Sequence, residues 1–337
     1  MALLNANVMS LVDWAKRIDP DGKTPYIAEV LEQNNAMAQD MVHREGNLPT
    51  GHLSTIRTGL PAVSWRLING PAYVSKSTTA QVQEQCGILD AWSEVSEDLV
   101  TLEDNPMAIR LTEAVAFLEA MRQKWSETVL YGNSAVAPAE FVGLSPRYSA
   151  LTGAGNSQNV ISAGGTGSDN SSIWLVVHGE YSFFGIFPKG SRAGLSHEDL
   201  GLVTLQSSDS VQSGRMRVYQ DRFIWKSGIC LRDWRYVVRI CNIDVSNLVS
   251  GVSAADLSEL MVRAIHRLPG DDPFSVGKPV FYMNRTVLQM LDIQRRNDVQ
   301  AGGQLSYDVV DGRRVATFRG IPVRKMDAIL NTEAAVS

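Results

Sequence analysis

Apolar positions recur at helical spacing in some stretches and at strand spacing in others, and the changes of period divide the sequence. Leu11, Val12, Trp14, Ala15 and Ile18 mark a short helix that Asp19-Pro20-Asp21-Gly22 ends. Pro25 opens a second helix, with Ile27, Val30, Leu31 and Asn34 on one stripe and Thr24 as its N-cap. The far end is rich in Asn, Gln and Met, so its apolar face is thin and it needs a partner. Residues 1–47 therefore read as a helical arm. From Leu48 the period becomes that of a strand. Leu53, Thr55 and Arg57 alternate with Ser54, Ile56 and Thr58, and Val63, Trp65 and Leu67 alternate with Ser64 and Arg66. Asn69-Gly70-Pro71 signals a turn, after which Ala80, Val82, Glu84 and Cys86 return at the same period. The pattern predicts a long, polar, two-stranded excursion over Leu48–Asp90. An isolated ribbon of this kind is marginal in water, so it either lies on a neighbouring subunit or stays loose.

The strongest helix follows. Asp104 or Asn105 can cap it, Pro106 fits its first turn, and Gly132 marks its stop. Leu111, Ala114, Leu118, Met121 and Trp125 repeat at three- and four-residue steps. About 25 residues at ~1.5 Å each make a rod of roughly 38 Å. Residues 133–172 are rich in Gly and Pro. Strand-like runs come next, at Ile173–His178, Phe183–Phe187, Leu202–Gln206, Met216–Tyr219, Phe223–Lys226 and Tyr236–Ile243. Ala254–Leu268 is an amphipathic helix, Pro279–Met283 a short strand and Arg285–Arg296 another helix. Leu305–Val310 and Arg313–Phe318 flank Asp311-Gly312, the strongest hairpin signal in the chain. Strands and helices fall in separate runs, which gives an α+β fold without internal repeats.

Composition narrows the function. The chain has 337 residues, 44% of them hydrophobic and 20% charged, enough for a sizeable core in two subdomains or in one with extended arms. It holds no run of about 18 apolar residues, so no membrane span is expected. The amino terminus lacks a basic segment before an apolar one, so no secretory signal is read. Cys86, Cys230 and Cys241 are widely spaced among apolar neighbours and are expected as buried free thiols. A net charge of −5 argues against a nucleic-acid reader.

Candidate chemistry fails on its spacing. Gly164-Gly165-Thr166-Gly167 precedes a strand and no lysine follows it, so it is expected as a loop tip and not as a phosphate cradle. The histidines His43, His52, His178, His197 and His266 include no pair four residues apart, and His197-Glu198-Asp199 reads as a loop or helix start. No serine sits in a G-x-S-x-G elbow, and Asp271-Asp272 lies in a turn beside Pro269, Gly270 and Pro273. No catalytic residue, cofactor or metal is expected. The clusters Arg232-Asp233-Trp234-Arg235, Arg295-Arg296, Arg313-Arg314 and Arg324-Lys325 read as inter-subunit salt bridges, since Trp and Arg are enriched at interface centres.

The order of these elements resembles the major capsid proteins of tailed double-stranded DNA bacteriophages, whose fold is shared with the floor of the herpesvirus capsid. Tyr131-Gly132-Asn133-Ser134-Ala135-Val136-Ala137-Pro138 on to Arg147-Tyr148 looks like the stretch after the spine helix in a podovirus-type branch of these proteins. Gly228-Ile229-Cys230-Leu231-Arg232-Asp233-Trp234-Arg235, Arg239-Ile240-Cys241-Asn242-Ile243-Asp244 and Gly320-Ile321-Pro322-Val323-Arg324 resemble further pieces of that branch. The resemblance implies an N-terminal helical arm (1–47), an extended β-hairpin loop with flanking strands (48–103) and the spine helix of a peripheral domain (104–132). A mainly axial domain (133–278) and a C-terminal axial/peripheral junction (279–337) would follow. It also implies a non-enzymatic virion protein, assembled in the host bacterial cytoplasm as hexamers and pentamers of an icosahedral shell. The implied partners are a scaffold protein, a portal protein, an optional decoration protein and packaged double-stranded DNA in non-specific contact. Trp65, Arg66 and Lys76 in the loop, and Arg232 and Trp234 in the axial region, are the expected interface residues. Some relatives weld the loop to a neighbour through a Lys–Asn isopeptide bond. No partner for Lys76 is identifiable, so no such chemistry is assigned. The rivals are a cellular nanocompartment shell of the same fold, and a cytoplasmic α+β enzyme with a site around Gly164–Gly167 and His178.

Overall fold

A computed structural model describes residues 33–101, 106–153, 155–206, 215–270, 274–296, 305–310 and 313–337. The predicted helices before Gln33, the caps at Asp104 and Asn105, and the turns at Asp271-Asp272 and Asp311-Gly312 lie outside these residues. The chain divides into two compact units.

The larger unit comprises Asn34–Gly87, Ser126–Ala193 and Ser227–Ser337. Its centre is β5 (Asn170–His178), which is buried along its whole length. Antiparallel neighbours flank it on both sides, β9 (Val237–Asp244) and β10 (Lys278–Met283). A strand covered on every side can be continuously apolar, as Ile173–Val177 is. Successive side chains still point to opposite faces. Ile173, Leu175 and Val177 pack with Leu257, Leu260, Met261 and Ala264 of the helix Leu257–Ile265, and with Val287, Leu288 and Leu291 of the helix Arg285–Arg296. The Trp174 ring instead meets Tyr148 edge-on. Two helices are started by a carboxylate that accepts a free first-turn amide, Asp256 from Glu259 N and Asp244 from Asn247 N. The latter helix, Val245–Ser250, stops at Gly251 in the left-handed region (φ 76°). Further strands extend the sheet. β13 (Ile321–Lys325) runs parallel to β10, and β12 (Arg313–Phe318) joins β13 to β11 (Leu305–Val310). β4 (Val160–Ser162) pairs with β9, and β1 (His43–Glu45) pairs with β6 (Phe183–Phe187). Asn34, expected on a helical stripe, carries no regular secondary structure, and Asn35 bridges Met326.

Also in this unit, β2 (Gly51–Gly59) pairs with the start of β3 (Thr78–Ser96), from Gly51↔Gln85 to Gly59↔Thr78. The second alternating run, Val63–Leu67, is not a strand. Residues 60–77 carry no regular secondary structure, because Pro61 and Pro71 donate no amide and Asn69 (φ 66°) turns the chain. The excursion is also less polar than its alternation suggested, since Leu60, Val63, Trp65, Leu67, Ile68, Tyr73 and Val74 are all exposed on it.

The smaller unit comprises Ile88–Trp125 and Gly194–Lys226, with Gln33. The helix predicted from Pro106 runs to Tyr131, with its first twenty residues in this unit. β7 (Leu195–Gln206) and β8 (Arg215–Leu231) form a long antiparallel pair whose register shifts at Asp199/Gly201. Two expectations fail here for one reason. His197-Glu198-Asp199 lies within β7, and Met216–Tyr219 and Phe223–Lys226 fuse into β8. The polar residues between the apolar runs are held by Arg110, whose guanidinium reaches Asp221 at 2.8 Å and Asp199 at 2.7 Å, so the ladder continues through them. Trp125 stacks on Trp225 at 5.1 Å, and Val95, Val100, Ile109 and Tyr219 make a small core.

The three cysteines are free. Cys230 and Cys241 are buried, and Cys86 packs beside Phe184, Ile186 and Cys230.

Candidate assembly interface

The extended loop stands on a rigid root. Glu84 is buried in the hairpin and takes a two-point grip from Arg147, Nη1 to Oε1 at 2.5 Å and Nη2 to Oε2 at 2.6 Å. Such a fork-on-fork pair fixes direction as well as distance. A Cβ on Gly51 would lie 1.9 Å from the Glu84 carbonyl oxygen, so the two backbones approach as only glycine allows. Burial, then the charges of Arg232 and Arg44, hold the His52 pKa below its usual value.

Beyond the root the character changes. Ser75 Oγ donates to the Ala62 carbonyl at 2.7 Å and keeps the loop narrow. Arg66 donates to the Gly70 carbonyl at 3.1 Å, and Gly70 N to the Leu67 carbonyl at 2.9 Å, which shapes the tip. Trp65 has a relative exposure of 103%, and Lys76 is also exposed. Between Glu45 and Glu84 the sequence holds Arg57, Arg66 and Lys76 and no acid, so the loop is apolar and positively charged together.

The other expected interface pair lies between β8 and β9. Arg232 is exposed with its guanidinium over Tyr181, 5.2 Å from the ring centre. Trp234 is half-buried, and its carbonyl accepts the Tyr148 hydroxyl at 2.6 Å. No hydrogen bond or ion pair among the described residues joins Trp65, Arg66 or Lys76 to Arg232 or Trp234. Two arginines read as inter-subunit partners pair within the chain instead, Arg235 with Asp233 at 2.7 Å and Arg324 with Asp40 at 3.1 Å. Each acid lies close enough to satisfy its arginine locally.

The residues of the enzyme rival do not come together. Gly164–Gly167 forms the loop before β5, whereas His178 ends that strand, about 26 Å further on at ~3.3 Å per residue. His178 is buried, which lowers its pKa to about 3. Its Nε2 lies 2.7 Å from the Tyr282 hydroxyl, which donates to Asp40 at 2.7 Å. The single hydroxyl proton goes to the carboxylate, so the imidazole donates to Tyr282 and its role is structural. No cluster of three or more His, Cys, Asp or Glu among the described residues could hold a metal ion.

One polar site escaped the sequence reading. Glu333, near the carboxyl end, is buried against Arg239 of β9 at 2.8 Å. Arg239 also donates to Ser172 Oγ and the Tyr148 carbonyl, and its guanidinium lies over Trp174. Glu333 further accepts from the hydroxyls of Tyr131 and Ser172. The surrounding tail, Asn331-Thr332-Glu333-Ala334-Ala335, has no periodicity that could have announced this.

The comparisons match this architecture. The family profile described as Major capsid protein GP7 covers residues 19–337. The chain belongs to the major capsid protein GP7 family. A solved structure of bacteriophage Epsilon15 is similar over 100% of this chain and 99% of its own, at 31% identity and a TM-score of 0.77. Mycobacterium phage Bobi is similar over 68% of this chain and 97% of its own, at 12% identity and a TM-score of 0.42. An encapsulin from Synechococcus elongatus is similar over 70% of this chain and 97% of its own, at 8% identity and a TM-score of 0.41. No curated protein matches. This GP7-family chain is thus a tailed-phage major capsid protein with an α+β phage capsid fold, a structural, self-associating component of the virion shell.

Proposed function

We propose that the protein closes an icosahedral shell of hexamers and pentamers around double-stranded DNA, with the loop 60–77 of each subunit lying on the next. The exposed apolar tip on a rigid root carries this reading. Seven large apolar side chains facing water cost free energy that burial on another subunit recovers, at about 25 cal/mol per Å². The positive charge of Arg57, Arg66 and Lys76 favours an acidic landing surface, and Arg232 and Trp234 supply a second contact region. A scaffold protein guides assembly in the host cytoplasm, a portal protein occupies one vertex, and a decoration protein is an optional addition. The net charge of −5 suits a wall that contains DNA without gripping it. The subunit performs no catalysis in this role.

Electron microscopy of Val63→Asp/Trp65→Ser, expressed with the scaffold, tests the proposal. Both positions are fully exposed, so the fold should keep its stability to within about 0.5 kcal/mol. Wild-type protein should give closed shells and the variant soluble subunits. Normal shells from the variant would overturn the proposed role of the loop.

A further inference from the structure

In the smaller unit β7 is an edge strand. It pairs with β8 along one side, from Leu195↔Trp225 to Gln206↔Arg215, and β8 separates it from β3. Among the described residues no strand lies on its other side. Alternate residues of such an edge turn their backbone N–H and C=O outward, which makes a template for another chain. The two halves of the edge differ. His197-Glu198-Asp199 puts charge on the first half, and the register shift at Asp199/Gly201, with Gly201 at φ 69°, bends it. Charge and a bulge both blunt an edge. Neither is present from Leu202 onward. There the register with β8 is regular, and Leu202-Val203-Thr204-Leu205-Gln206 has no charge, glycine or proline. Thr204 is exposed, and Leu202, Val203 and Leu205 are half-buried.

Charge selects the occupant. The basic loop finds no acid for Arg57, Arg66 or Lys76 on this neutral stretch. The stretch suits an equally neutral strand, and it is one itself. Run antiparallel to its own copy about Thr204, it sets Val203 opposite Leu205 on both sides and Thr204 opposite Thr204. Apolar pairs and threonine pairs of this kind stabilise a ladder. A register centred on Glu198 would set that carboxylate against its own copy, and like charges directly opposite are destabilising. Self-complementarity belongs to a two-fold axis, where one patch meets the same patch.

We infer that β7 pairs antiparallel with β7 of a second copy across a two-fold axis, over Leu202–Gln206, and so joins two sheets edge to edge. The pairing goes beyond the proposed shell and takes only its two-fold axes from that reading. A contact this short is too small to hold free subunits together, so it forms on assembly.

Thr204→Cys tests the pairing. Residues directly opposite in an antiparallel ladder have Cα atoms about 4.5 or 5.5 Å apart, and either spacing admits a disulfide. After expression with the scaffold and oxidation by copper phenanthroline, the Thr204→Cys variant should shift from monomer to dimer on a non-reducing denaturing gel. Wild-type protein and Glu198→Cys should stay monomeric, because position 198 would lie about 40 Å from its copy at ~3.3 Å per residue. Thr204→Glu faces Arg217 within its own subunit, so it should fold, as thermal unfolding checks. It sets two carboxylates together at the axis and should lower the yield of closed shells at least about fivefold, whereas Thr204→Gln should not. The gel is read on whatever assembly forms. Shells in which Thr204→Cys gives no dimer, or in which Glu198→Cys gives as much, would overturn the pairing and leave the shell reading standing. A Thr204→Cys dimer in protein that never closes into shells would do the reverse.

Discussion

Arg239 and Glu333 show how one unread residue comes to organise its surroundings. Glu333 lies in a tail with no pattern, yet its carboxylate meets a guanidinium, a phenol and a serine in the interior. Tail and sheet are joined further by reciprocal backbone bonds between Asn170 and Glu333, and by the Asn242 side chain pairing with Val336. A buried ion pair adds modest net stability, but removing one partner leaves a charge without compensation. Arg239→Leu should therefore lower unfolding stability by about 3–5 kcal/mol in urea titrations, and Arg239→Leu/Glu333→Leu should recover much of that loss. A double variant no better than the single one would show that packing against Trp174, and not charge, dominates.

At the scale of elements, the root of the extended loop is the most constrained junction. Gly51→Ala would set a Cβ against the Glu84 carbonyl, which is backbone and cannot swing aside. The cost should be about 1–3 kcal/mol, with faster amide exchange confined to the ladder between Gly51 and Gln85. The same region shows what a sequence reveals. The long helix was legible because Pro106 opens it, Gly132 closes it and the residues between contain no other proline or glycine. β5 was legible because a continuously apolar run of that length has few other places to go. The tip was not, because alternation at Val63, Trp65 and Leu67 looks the same whether or not a partner strand exists. The continuity of β8 was hidden as well, since it depends on Arg110, more than a hundred residues away in sequence. Among the interface candidates, Trp65 and Lys76 are exposed, while Trp234 is partly used by its own fold.

At the scale of the whole molecule, acid should reveal the buried His178. Burial, then the charge of Arg324, lowers its pKa to about 3 from 6.5. The unfolded chain takes up that proton near pH 6.5 and the native chain only near pH 3. This contribution is complete above pH 6.5 and is lost as the pH falls towards 3, at about 1.4 kcal/mol per unit. Asp40, facing Tyr282, Arg324 and Lys278, acts in the opposite sense. Burial raises its pKa, so the native state binds its proton first on acidification and offsets part of the loss. His178→Gln keeps a donor for Tyr282 without the titrating proton, and its unfolding free energy should fall less steeply between pH 6 and 4. An unchanged slope would place the acid sensitivity elsewhere. The cysteines carry a consequence for life outside the cell. Burial raises their pKa values to about 11 for Cys86 and Cys241 and about 12 for Cys230. At pH 8 at most about one thiol in a thousand is thiolate, the form that reacts. In a particle exposed to air, the subunits should neither scramble into disulfides nor gain strength from them. Its endurance in the open then rests on packed surfaces alone.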